Sequence, residues 1–129
     1  MSQKNVETVR AAASAYNRGD LEALMQAYDP GVEFVTLLLG SHHGKEAIRS
    51  IFEENRTNLS GYSLALEELI DAGPDKVVAV AHLGGAGRLS EIALGDLIAF
   101  VATFKDGLIV RQETFRNKEE ALEAAGLRE

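Results

Sequence analysis

Three histidines, an Arg-x-Glu pair and a run of glycines are the residues of this 129-residue chain that could do chemistry. Imidazole is the side chain whose ordinary pKa best suits proton transfer near neutral pH. His82 follows Val78 and Val80 at two-residue spacing in an apolar run, Lys76 to Leu83, that reads as a strand. It shares their face and is either a pocket acid or base, or a half-buried histidine satisfied by the sheet. His42 and His43 are adjacent in a loop, Gly40 to Gly44, where neighbouring side chains point apart and no Asp or Glu stands at ligand spacing. No metal site is expected there, although one of the two could stand at a pocket mouth. Arg111 and Glu113, two apart on a later strand, form either a catalytic pair or an ion pair at an interface rim, the commoner arrangement. Gly84-Gly85-Ala86-Gly87 has the composition of a phosphate loop but not its context. Another strand is expected from about Leu89, where a dinucleotide fingerprint needs a helix, so these glycines suit a bend or bulge.

The elements that must position these groups begin with a helix from Asn5 to Arg18, carrying Val6, Val9, Ala13 and Tyr16 at spacings of three and four. Gly19 should stop it. Asp20 caps a second helix with Leu21, Leu24, Met25 and Tyr28 in one stripe, broken by Asp29-Pro30-Gly31. A buried strand is expected over Val32 to Leu39, and a third helix over Lys45 to Leu59, with Ile48, Ile51, Phe52 and Asn55 on one side. Strands over Tyr62 to Ile70 and Lys76 to Leu83 follow, joined at Asp71 to Asp75. The last two strands, Leu97 to Phe115, turn at Asp106-Gly107, a pair suited to positive φ at both central residues. Regular pairing from that turn sets Phe104 opposite Ile109, Ala102 opposite Arg111, Phe100 opposite Glu113 and Ile98 opposite Phe115. The opposite face then carries Leu97, Ala99, Val101 and Thr103 with Val110, Gln112 and Thr114. A final helix begins at Asn117 as N-cap, with Glu120 three residues on, and ends at Gly126, which sets Leu127 against Leu122. Strands joined by turns make a largely antiparallel sheet, and helices first with sheet later predict one α+β domain over residues 1–129.

With 46% apolar and 26% charged residues, one hydrophobic core is expected. A net charge of -7 with scattered Lys and Arg argues against nucleic acid as a partner. There is no cysteine, hence no disulfide or thiolate chemistry. No signal-peptide stretch opens the chain and no run nears the roughly 18 apolar residues of a membrane span, so a soluble, cytoplasmic protein is expected.

Several stretches resemble one family. Gly19-Asp20-Leu21-Glu22-Ala23-Leu24 through Tyr28, Gly44-Lys45-Glu46-Ala47-Ile48-Arg49, Glu68-Leu69-Ile70-Asp71-Ala72-Gly73, Asp106-Gly107-Leu108-Ile109 and Glu119 to Leu127 occur in the order seen in the nuclear transport factor 2-like superfamily. The tail is similar to that of its SnoaL-like branch, whose relatives include ketosteroid isomerases, limonene epoxide hydrolase and polyketide cyclases. The resemblance implies a cone-shaped, cystatin-like fold: a curved sheet wrapped around three N-terminal helices, a short C-terminal helix, and an apolar cavity at the open end. It also implies a homodimer through a sheet face.

The family's acid and base positions are mostly not kept. The first-strand Asp of the isomerases falls near Val35 and Thr36, and the late Asp of the cyclases and the epoxide hydrolase falls at Thr114, with Gln112 where many cyclases carry His or Trp. A hydroxyl or a carboxamide can orient a ligand but is no base near pH 7. The resemblance therefore implies a protein that binds a small, mostly apolar molecule. Tyr16, Tyr28, Phe34, Thr36, Phe52, His82, Val101, Thr103, Gln112 and Thr114 are the expected lining, with no cofactor and no metal. One alternative is an isomerase, cyclase or hydrolase working through His82 or another pocket group. A second is a dimeric interaction module with a self-filled cavity. The apolar outer sheet face needs cover, either from a partner or from the C-terminal tail.

Overall fold

The computed structural model describes residues 2–35, 40–58, 63–84 and 97–126. Helix α1 spans Ser2–Arg18. Its Val6, Val9 and Ala12 pack on the core beside buried Ala15 and Tyr16. Gly19 ends it at φ 77, its N–H donating to the Tyr16 carbonyl (3.0 Å) while the Asp20 N–H reaches the Ala15 carbonyl (2.9 Å). This is the left-handed stop that glycine makes without steric cost.

Asp20 then accepts from the Ala23 N–H (3.1 Å) to cap α2, Leu21–Met25. The expected stripe overshoots, because Tyr28 is not helical and opens β1, Tyr28–Val35. Asp29 precedes Pro30 and so resists helix. Pro30 itself lies where the pairing of β1 with β6 shifts register between Tyr28 and Glu33, a place where its missing N–H costs least. The expected loop before Gly44 contains a short strand, β2, Ser41–His43, which pairs antiparallel with β1. Helix α3, Lys45–Asn58, lays buried Ile48 and Ile51 into the core.

Strands β3 (Ser63–Asp71), β4 (Lys76–Gly84), β5 (Leu97–Lys105) and β6 (Leu108–Phe115) complete a six-stranded sheet ordered β2-β1-β6-β5-β4-β3. Its pairings are antiparallel except that of β1 with β6, which is parallel. The strand expected from about Leu89 lies outside the described residues.

Two cores flank the sheet. On one face α1, α2 and α3 pack against Val32, Phe34, Val77, Ala102, Phe104 and Ile109. On the other, α4 (Lys118–Ala124) presses Ala121 onto Val78, Val80, Ala99 and Val101, with Phe115 and Leu122 at the edge. The face covered by the chain's own C-terminal helix is thus that of Val78, Val80, Ala99 and Val101, and of the residues expected to need cover only Phe115 lies on it. The Asn117 side chain accepts from the Glu120 N–H (2.9 Å) to start α4, and Gly126 at φ 86 ends it. Leu127 lies outside the described residues.

Candidate functional site

The composition of the helix-facing side depends on one residue of β6. The turn is as expected, with Asp106 at φ 54 and Gly107 at φ 83, and Phe104 pairs with Ile109. The register then shifts: Thr103 pairs with Arg111, leaving Val110 as the extra residue of a β-bulge. Beyond it the pairs are Ala102 with Gln112, Val101 with Glu113, Phe100 with Thr114 and Ala99 with Phe115. Each differs by one from the regular register, and a one-residue slip exchanges the faces.

The expected lining therefore divides. Gln112 and Thr114 share a face with Ala102 and Phe100, on the side of α1 to α3, as the cavity reading requires. Val101 and Thr103 do not join them. They lie with Arg111, Glu113 and Phe115 on the opposite face, Val101 being buried in the core beneath α4. The expected outer set of Ile98, Phe100, Phe104, Ile109 and Phe115 divides too: Phe104 and Ile109 belong to the helix-side core, Ile98 and Phe100 share that face, and Phe115 is on the α4 side.

On the helix-facing side Tyr28 is 3% exposed, and its hydroxyl donates to Oε1 of Gln112 at 2.9 Å. Burial pushes the Tyr28 phenol pKa far above its ordinary value, and the Gln112 hydrogen bond opposes this only in part. Tyr16 and Phe34 are buried in the same cluster. Phe34 stands directly opposite His42, so His42 shares this side of the sheet, whereas His43 is exposed. Thr36 and the side chain of Phe52 lie outside the described residues.

His82 is placed elsewhere. It alternates with Val78 and Val80, which pack under α4, and so faces away from α1 to α3. Its Nε2 lies 3.0 Å from Oε2 of Glu67, the residue at the register shift of β3, and its side chain is 43% exposed. His82 therefore does not lie with Tyr28 and Gln112 on the helix-facing side. Arg111 reaches Glu33 (3.7 Å) and Glu113 (3.2 Å) on that same outer face, and the Ser41 hydroxyl donates to Glu33 (3.3 Å). That is an ion-pair cluster on the face opposite Gln112.

Sequence reasoning missed the Tyr28–Gln112 bond because it placed Tyr28 on a helix. The Asp29-Pro30 step could have moved the helix end forward. Nothing in the sequence marks Val110 as a bulge. Among the described residues no group of three or more His, Cys, Asp or Glu side chains could hold a metal ion, and no helix is long and apolar enough to cross a membrane.

A mixed six-stranded sheet with three helices on one face and a short C-terminal helix on the other defines the nuclear transport factor 2-like, cystatin-like α+β fold. Within it, the chain belongs to the SnoaL-like domain family, whose model matches residues 9–112. Bal32a, from a soil-derived mobile gene cassette, is 24% identical and superposes with a TM-score of 0.77 over 88% of each chain. TerC, crystallised with polyporic acid, is 23% identical with a TM-score of 0.75, over 95% of this chain and 98% of its own. A protein from Catenulispora acidiphila with a ketosteroid isomerase-like fold, in complex with trimethylamine, is 18% identical with a TM-score of 0.74, over 94% and 93%. At these identities the likeness is one of fold. No curated protein sequence matches the chain.

Proposed function

We propose that this protein binds a small, mostly apolar molecule between the sheet and helices α1 to α3, through neutral polar contacts and without the late-strand carboxylate of related cyclases. The observation that carries this reading is the exchange of faces at Val110. It brings Gln112 and Thr114 to the helix-facing side with Tyr28, and sends Arg111 and Glu113 to the other. An apolar wall with a few fixed, uncharged donors and acceptors suits recognition better than proton abstraction. Two proteins of the same fold, TerC and the Catenulispora protein, were crystallised with small molecules, which supports binding as a use of this architecture. A homodimer built on the outer face of β1 and β6, where Arg111, Glu33 and Glu113 lie, goes with this reading. Native mass spectrometry of freshly purified protein tests both parts. A co-purified mass of a few hundred daltons, or a saturable shift with added apolar compounds, is expected. Failure to bind any apolar compound would overturn the binding reading, and a monomer would overturn the dimer.

A second reading rests on His42, the titratable group that pairs with Phe34 on the helix-facing side. An enzyme acting on a small hydrophobic molecule would use that imidazole, not His82, for proton transfer. Turnover abolished by His42→Gln and kept by His82→Gln would establish it.

A further inference from the structure

The three helices on the inner side of the sheet are not fastened to it alike. Helix α1 is pinned near its start by buried Asn5, whose Nδ2 donates to the Pro74 carbonyl in the turn between β3 and β4 (3.2 Å). Helix α2 leads into β1 through Ala27, whose carbonyl accepts from the Ile109 N–H of β6 (2.9 Å). Helix α3 is held at its start, where the Gly44 N–H donates to the Val32 carbonyl of β1 (2.8 Å). Gly44 stands there at φ 92, a left-handed corner that glycine makes without strain. Beyond the corner the described ties of α3 are of two kinds. Ile48 and Ile51 lie in the core with Leu24 and Met25 of α2. On the solvent side of that seam, Arg49 Nη2 donates to Oε2 of Glu22 in α2.

The guanidinium has a second partner, for its Nε donates to Glu53, one turn further along α3 (3.4 Å). Of the two carboxylates, Glu22 has the larger part in holding the Arg49 pKa above its ordinary value. The Glu22 side chain is 77% exposed and that of Arg49 32%, so water and salt screen the pair. If α3 moves off α2, Arg49 gives up Glu22 but keeps Glu53 on its own helix, and no charge is left buried and unpaired.

We infer that the seam between α2 and α3 is the entrance to the space between sheet and helices, and that Arg49 latches it. Glu22 holds the guanidinium across the seam, and Glu53 receives it when α3 swings about Gly44. This control of access rests on the binding reading above. Such a latch sets the rates of entry and exit and not the affinity, because the free and the occupied closed states contain the same ion pair.

The test uses the full chain and N-phenyl-1-naphthylamine, a neutral fluorescent probe. Its association and dissociation rates are measured by stopped-flow mixing, and amide exchange of α3 and α1 is followed by NMR without ligand. In Glu22→Gln both rates should rise about threefold, the size of one exposed ion pair, with their ratio unchanged. The amides of α3 should exchange faster in that variant while those of α1 do not. Raising salt to about 0.5 M should speed the wild-type protein toward the rates of Glu22→Gln and leave the variant as it was. Glu53→Gln, which removes the partner of the open state, should slow entry. Unchanged rates or unchanged α3 exchange in Glu22→Gln, a change confined to dissociation, or entry in Glu53→Gln no slower than in the wild type overturns the latch and leaves the binding reading standing. A chain that binds no apolar compound overturns both.

Discussion

The hydroxyl of Tyr28, the first residue of β1, donates to the carboxamide of Gln112, 84 residues further on in β6, at 2.9 Å. β1 and β6 are also the one parallel pair among the described residues, so this bond and their ladder together tie the N-terminal helices to the last hairpin. Loss of the hydroxyl in Tyr28→Phe leaves Gln112 Oε1 without its partner in a half-buried place. A loss of about 1 kcal/mol in unfolding free energy is expected, read from urea denaturation at neutral pH. An unchanged midpoint would mean that water replaces the phenol without cost.

The same phenol gives the protein an alkaline weakness. Its folded-state pKa is raised by burial, so above about pH 10 the unfolded chain releases a proton that the folded chain retains. The unfolded state then binds fewer protons, and stability falls as pH rises. This contribution is complete below the unfolded pKa and is lost as pH climbs toward the folded one. The loss of stability between pH 9 and the highest accessible pH, about 11.5, should be steeper for wild type than for Tyr28→Phe. Parallel slopes would show that Tyr28 titrates normally.

On the other face, Ala121 of α4 is 0% exposed against Val78, Val80, Ala99 and Val101. A larger side chain has no room between helix and sheet. Ala121→Leu should cost about 1–3 kcal/mol, as overpacked cores do, and raise the binding of a hydrophobic dye as α4 lifts off. Asn117→Ala, which removes the helix cap, should cost about 1 kcal/mol without that dye signal.

The His82–Glu67 pair is 3.0 Å apart but both side chains are about half exposed, so His82→Ala should change stability by less than about 1 kcal/mol and leave ligand binding as it was. A binding defect would place His82 in a role that its outward face does not suggest.

What was legible in the sequence was what local physics dictates. The Gly19 stop, the Asp20 and Asn117 caps and the Asp106-Gly107 turn each depend on a few adjacent residues, and each is where the sequence puts it. Tyr28 was misplaced because its spacing fits the stripe of α2 as well as a strand, whereas its pairing with Ile109, whose N–H donates to the Ala27 carbonyl (2.9 Å), shows that the chain there already belongs to the sheet. The faces of β6 were misread for a different reason. Leu108, Ile109 and Val110 are all apolar and Arg111, Gln112, Glu113 and Thr114 all polar, so alternation alone does not register the extra residue. The core position of Ile109, the helix-side place of Gln112 and the outward place of Arg111 are reconciled only when one residue is left out of the count.

If Val110 is the extra residue, its deletion restores regular pairing while keeping Thr103 with Arg111 and Ala102 with Gln112, and so keeps Gln112 on the helix-facing side. The deletion should give a folded protein, weakened by about 1–3 kcal/mol through lost local packing. In that background Tyr28→Phe should still cost about 1 kcal/mol, because the phenol still meets the carboxamide. Had the strand instead slipped by one, Gln112 would turn outward, Arg111 would enter the core, and the additional cost of Tyr28→Phe would vanish. Urea unfolding of the four proteins, wild type, each single change and the pair, separates the two outcomes.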